Sequence, residues 1–157
     1  MTNATSGNGW NFSSFIRRIN ILLSHVDDSN MTEEEKNHWK SVGYFFHSFW
    51  YMELIDRFGD VPWVDTPLDD TSEEAYGSRM PRLEVADKVL DRLLWAESNI
   101  GNTAIYEKKD GSNTINQNCV RAAISRFTLR EGTWRKYHEL GSYDRSVSYT
   151  HLTLPTT

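Results

Sequence analysis

Four stretches of this chain carry apolar residues three and four positions apart, the repeat that gathers side chains on one face of a helix. In the first, from about Ser13 to Val26, one stripe is expected to hold Phe15, Ile16, Ile19, Leu22, Leu23 and Val26, with Arg17 and Arg18 off it. Asp27-Asp28-Ser29-Asn30 is turn chemistry and ends it. The second opens on Thr32 and runs to about Arg57, with Glu35 at the third position of a capping box and Glu33 and Glu34 suiting the same helix end. At 1.5 Å per residue such a rod is roughly 38 Å long. From Tyr44 to Ile55 its apolar residues lie almost all round, so it is expected to pack between neighbours. Phe58-Gly59-Asp60-Val61-Pro62 breaks it, with Gly59 as the C-cap and Pro62 unable to continue a helix.

Trp63 to Met80 is Pro-, Asp- and Ser-rich, without periodicity, and predicts a long loop of the kind that often carries function. A third helix opens near Pro81 and places Ala86, Val89, Leu90, Leu93, Leu94 and Ile100 inward, closing at Gly101. Asn102 to Asn113 is polar and Gly-containing, and reads as loop. A fourth helix is expected from about Asn116 to Tyr137, with Val120, Ala123, Ile124, Phe127 and Trp134 on its inner face. No convincing strand alternation occurs before the last dozen residues. That tail, 146–157, resembles the translation of a sequencing-adapter read-through and is set aside as an expected artefact, the alternative being a β-prone tail. The expected organisation is a leading segment 1–9, a helical domain 10–145 and the tail 146–157.

Composition narrows the function. A net charge of −5 with no long Lys/Arg cluster argues against a nucleic-acid partner. Cys119 is the single cysteine, so neither a disulfide framework nor a cysteine metal site is expected. Aromatics are abundant at 13%, with six Trp: some are expected in the core, a surplus on the surface would suggest a binding face, and the sequence alone does not divide the two groups. Nothing approaches the roughly 20 apolar residues of a membrane-spanning helix, and the opening residues lack the n- and h-regions of a signal peptide. His-Glu-x-x-His, Gly-x-Ser-x-Gly and P-loop spacings are missing, and His25, His38, His47 and His138 lack metal-ligand spacing. The acidic pairs Asp69-Asp70 and Glu73-Glu74 read as solvated runs, not as the flanking carboxylates of a glycosidase. No cofactor, no metal and no catalysis are expected.

Trp39-x-x-Val42-Gly43-x-x-Phe46 approximates the first helix of a tetratricopeptide repeat, with Pro67 near the closing-proline position and Gly43 admitting a close partner helix. Ile55 stands where that repeat has alanine. The fold expected is all-α, built of tetratricopeptide-like helical pairs in a superhelical stack.

The run from Ser41 through Arg57-Phe58-Gly59-Asp60-Val61-Pro62-Trp63 resembles the signature helix and turn of SusD/RagB proteins. Three other segments fall in the family's order: the helix with Ile16, Arg17 and Asn20, the helix Arg82 to Ala96, and the helix Ile115 to Tyr137. The resemblance covers about residues 10–144. It departs where Ser41, Val42, Gly43 and Tyr44 replace the family's usual Gly-Glu-Ala-Arg. It implies a longer, lipid-anchored, outward-facing outer-membrane protein, of which this is the N-terminal helical-repeat piece. Its anchor lies outside this stretch, since Cys119 falls within a helix. The implied partners are a SusC-like TonB-dependent transporter and an oligosaccharide or other nutrient. The alternative is a helical-repeat scaffold that binds protein and no glycan.

Sugar recognition needs flat aromatic faces and polar edges. Trp10, Trp63, Tyr76 and Asp65 are the candidates for it, with Asp69 and Asp70 in the same loop. Trp63, beside the turn, is also placed to cap the core, and Trp10 to staple a helix start. Arg57, Phe58, Gly59, Asp60 and Pro62 form the structural signature, in which Arg57 and Asp60 are expected to pair or to bond the loop backbone. His47 is expected to be a satisfied core histidine.

Overall fold

The computed structural model describes residues 13–68, 77–141 and 143. Among these the chain forms five helices: α1 Ser13–Val26, α2 Glu33–Phe58, α3 Arg82–Asn99, α4 Thr103–Asp110 and α5 Gln117–Tyr137. The central helix α2 packs against α1 on one side and α3 on the other, while α5 lies along α3 and reaches α2. The architecture is all-α, in antiparallel helical pairs.

Helices α2 and α5 begin where side-chain chemistry satisfies their first amides. The Thr32 hydroxyl accepts from Glu35 N, while the Glu35 carboxylate accepts from Thr32 N at 3.1 Å, completing the capping box. The Asn116 side chain accepts from Cys119 N at 3.1 Å and opens α5. Helix α2 ends at Gly59, whose φ of +70° is a conformation glycine adopts without a Cβ penalty.

The core runs along α3, where Val85, Ala86, Val89, Leu90, Leu93 and Ala96 are fully buried. Against them pack Tyr51, Leu54 and Ile55 of α2, Val120, Ile124 and Phe127 of α5, and Ile16 of α1. A fully buried Val or Leu contributes about 1.5–3 kcal/mol, so this stripe is the main source of cohesion. Gly43 faces α1, and a Cβ there would sit 2.6 Å from Leu23 Cδ2. Its lack of a side chain is what lets the two helices approach.

Three sequence expectations change. Asn102 to Asn113 is not all loop: α4 forms within it, capped by Asn102 and ended by Gly111. It is too short for its apolar residues, Ile105 and Tyr106, to make a readable repeat. The α1 stripe also splits, for Ile16 and Val26 are buried while Phe15 is 43% and Leu22 40% exposed. The helix turns Asn20 inward instead, where its amide bonds the backbone of the long loop. Trp134, expected on the inner face of α5, is half-buried over a guanidinium, and Thr128 and Glu131 take inner positions. The tail 146–157, like Trp10 and Tyr76, lies outside the described residues.

Candidate functional site

The signature turn is the base of the long loop, and each of its residues has a distinct task. Gly59 N–H returns to Ile55 O at 3.1 Å and turns the chain out of α2. Asp60 Oδ1 accepts from Arg82 N at 2.9 Å, so the residue that leaves α2 caps α3. Val61 and Met80 form an antiparallel bridge, with amide-to-carbonyl distances of 3.3 and 2.9 Å, which closes the two ends of the loop on each other. Pro62 leaves its carbonyl to the Tyr51 hydroxyl at 3.0 Å. Arg57 pairs with Glu53 at 3.4 Å within α2, while Asp60 serves the backbone. Phe58 packs half-buried against the core.

Beyond Pro62 the run to Thr66 is pinned by three side chains from two helices. Tyr51 Oη, besides donating to Pro62 O, accepts from Val64 N at 2.7 Å. Asn20 Nδ2 donates to Val64 O at 3.1 Å and to Thr66 O at 3.0 Å. His47 Nε2 donates to the same Val64 carbonyl at 3.0 Å. Arg17 Nη1 reaches Leu68 O at 3.4 Å. The Ile16-Arg17-x-x-Asn20 segment thus gives one residue to the core and two to the loop. Burial holds the His47 imidazole down at about 3, with the nearby Arg92 guanidinium acting in the same direction, so the ring is neutral. Burial also pushes the Tyr51 phenol above its ordinary range.

Trp63 and Asp65 are brought together here. Trp63 Nε1 donates to Asp65 Oδ2 at 3.1 Å, and the indole lies 4.4 Å from the Tyr51 ring and 5.1 Å from the His47 ring. Arg92 of α3 completes the cluster, its guanidinium 4.8 Å from the Trp63 ring, 4.9 Å from the Tyr44 ring and 3.7 Å from Asp65 Oδ2. Burial lowers the Arg92 pKa from its usual value. The Lys88 ammonium lies 5.5 Å from the same indole. Trp63 therefore closes the core with its ring, while Asp65 presents a half-exposed carboxylate at the loop base. Trp10, Tyr76, Asp69 and Asp70 lie outside the described residues, so no relation between them and this cluster is drawn.

Arg92 was not a sequence candidate, although a signal existed. It falls on the apolar stripe of α3 between Val89 and Ala96, and a charge in such a position needs a partner. Glu131 sends the same signal on α5. It is 1% exposed and held by Arg82 Nη1 at 2.9 Å and Arg135 Nε at 2.8 Å, both to Oε1. Arg82 lies 3.6 Å over the Trp134 ring, and Arg135 continues to Asp87 at 3.3 Å. Two guanidiniums and two carboxylates balance, locking the start of α3 onto α5.

Among the described residues no group of three His, Cys, Asp or Glu side chains could hold a metal ion. Among them, too, no helix is long and apolar enough to cross a membrane. What the loop base offers is a half-exposed Asp65 carboxylate held by Trp63 and Arg92 over the buried Tyr51 and His47.

Helical pairs whose central member ends in a pinned glycine turn, with the two ends of the following long connection bridged at Val61 and Met80, define a helical-repeat scaffold. The chain belongs to the SusD-like family described as starch-binding and associating with the outer membrane, whose model matches residues 1–129. A SusD-like protein P2 of Formosa agariphila is 29% identical over 90 residues, 57% of this chain and 18% of that protein. Solved structures share the fold. A SusD-like carbohydrate-binding protein of Bacteroides fragilis superposes with a TM-score of 0.74 at 17% identity, over 96% of this chain and 27% of the other. One from Bacteroides vulgatus gives 0.68 at 21% identity, over 93% and 30%. A laminarin-binding SusD-like protein gives 0.65 at 21% identity, over 80% and 27%. The chain spans less than a third of the length of each of these relatives.

Proposed function

We propose that this chain is the helical-repeat part of a glycan-binding component of an outer-membrane, TonB-dependent uptake system. In this reading it binds oligosaccharide without catalysis and works beside a SusC-like transporter. A lipid anchor carried elsewhere in the longer protein holds it facing outward. The observation that carries the reading is the family match over residues 1–129 together with the pinned loop, whose base places Trp63 and Asp65 in one hydrogen-bonded pair. A rigid base is what a sugar site needs, since ordering a loop only on binding weakens affinity. Trp63, Asp65, Trp10 and Tyr76 remain the proposed ligand residues, with Trp63 acting through the placement of Asp65. Affinity electrophoresis on a panel of polysaccharides tests the reading: retardation by at least one glycan supports it, and unchanged mobility on all of them contradicts it.

A second reading, a scaffold that contacts only protein, is favoured by one feature. Phe46 and Phe49 are 41% and 43% exposed on one stripe of α2, next to Phe15, which stacks on Trp50 at 4.3 Å. Co-purification with the transporter but no glycan binding would select it.

A further inference from the structure

We propose that α4 is a pH-released flap, freed from the helical body when His38 of α2 takes up a proton. His38 is buried and holds the flap at two points. Its Nδ1 accepts from Gly101 N at 3.2 Å, in the turn that leads into α4. The face of its ring stacks on Tyr106 at 3.5 Å with an interplanar angle of 9°. Tyr106 is the buried side chain of α4, and it fits only because Gly101 has no Cβ: one built there would lie 2.9 Å from Tyr106 Cδ2.

An imidazole bonded in this way carries its proton on Nε2. The next proton must therefore land on Nδ1, facing the Gly101 N–H. Donor would then meet donor, the bond would be lost, and a charge would sit in a buried place. Several groups act on this balance. From α4, Asp110 and the Tyr106 ring face favour the charged imidazole, and Lys109 opposes it. From α2, Glu34 and Glu35 act on the Tyr106 phenol, and the turn between α3 and α4 contributes the Gly101 N–H. Burial prevails and holds His38 below 6.5. The docked state therefore binds the proton less readily than the free one, and docking weakens as pH falls below that value.

The other tether does not titrate in that window. Lys109 Nζ meets Glu35 Oε1 at 2.6 Å, and this bond with the Thr32 bonds pulls the Glu35 carboxyl down to about 2. Between neutral and mildly acidic pH the ion pair neither produces nor hides the response.

Hydrogen exchange of the intact chain at neutral and mildly acidic pH, corrected for intrinsic exchange, tests the proposal. Protection of the 103–110 amides should fall by at most roughly tenfold per pH unit as pH drops below 6.5, levelling off once the docked His38 is itself protonated, while α3 keeps its protection. His38→Asn places an amide oxygen near the Nδ1 position and cannot titrate, so its flap protection should be independent of pH. A wild-type flap that stays protected in acid, or a His38→Asn flap that still opens in acid, overturns the proposal. Nitrogen chemical shifts of His38 in the wild-type chain decide it independently of that variant. Nδ1 must be the unprotonated nitrogen at neutral pH, and an Nδ1–H tautomer would overturn the latch.

Discussion

Asp60 Oδ1 accepts the backbone N–H of Arg82 at 2.9 Å, so a residue of the signature turn that ends α2 also caps α3. The bond spans the whole long loop and, with the Val61–Met80 bridge, fixes its two ends. Replacing Asp60 by Ala should cost about 0.5–2 kcal/mol, the usual value of a lost helix cap, and Asp60→Asn should cost less. Denaturant unfolding of the two variants measures the difference.

The Tyr51 hydroxyl serves two backbone groups at once, the Pro62 carbonyl and the Val64 amide. Tyr51→Phe leaves both without that partner and should destabilise by about 1–3 kcal/mol. Exchange of the Val64 amide should rise more than exchange within α3. Equal protection in both proteins would show that the loop base is held without it.

Glu131 is enclosed by two guanidiniums with its side chain 1% exposed. Glu131→Ala strips Arg82 of its carboxylate and leaves Arg135 with Asp87 alone, and should cost about 3–5 kcal/mol. Removing Arg82 as well should recover part of that loss, a coupling that a double-mutant cycle reads directly.

Stability should fall in acid through His47. Its folded pKa, about 3, lies below its ordinary 6.5, so its contribution is complete above 6.5 and is lost progressively as pH falls toward 3. A core-preserving His47→Gln variant should show a flatter stability profile over that interval. An identical profile would assign the acid sensitivity to other groups.

The exposed stripe of Phe46 and Phe49 beside Phe15 gives the isolated chain a sticky face. The chain should self-associate in a concentration-dependent way by light scattering, and Phe46→Ser with Phe49→Ser should reduce it. A monodisperse monomer at all concentrations would contradict this.

Helices with strong punctuation were legible from the residues. Thr32 and Glu35 announced α2, Gly59 ended it, and Asn116 opened α5, because caps are local chemistry. Helix α4 was not legible, since it owes its place to a single buried tyrosine held by His38, a partner 68 positions away in the chain. The loop base was half legible. The turn motif and Trp63 stood out, and so did the Asn20 segment as a motif, but that Asn20 and Tyr51 bond the same loop residue, Val64, is a fact of tertiary placement. Arg92 and Glu131 sat in apolar stripes, where a charge signals a buried partner without naming it.

The measurement closest to the central claim is native electrophoresis of the protein, its Asp65→Ala and its Trp63→Ala variants, through gels with and without laminarin or starch. The account predicts that a glycan retards the wild type, that Asp65→Ala loses most of this retardation, and that Trp63→Ala loses it together with order at the loop base. Mobility that no glycan changes, in a folded protein, would contradict glycan capture and leave the helical scaffold as a surface for protein alone.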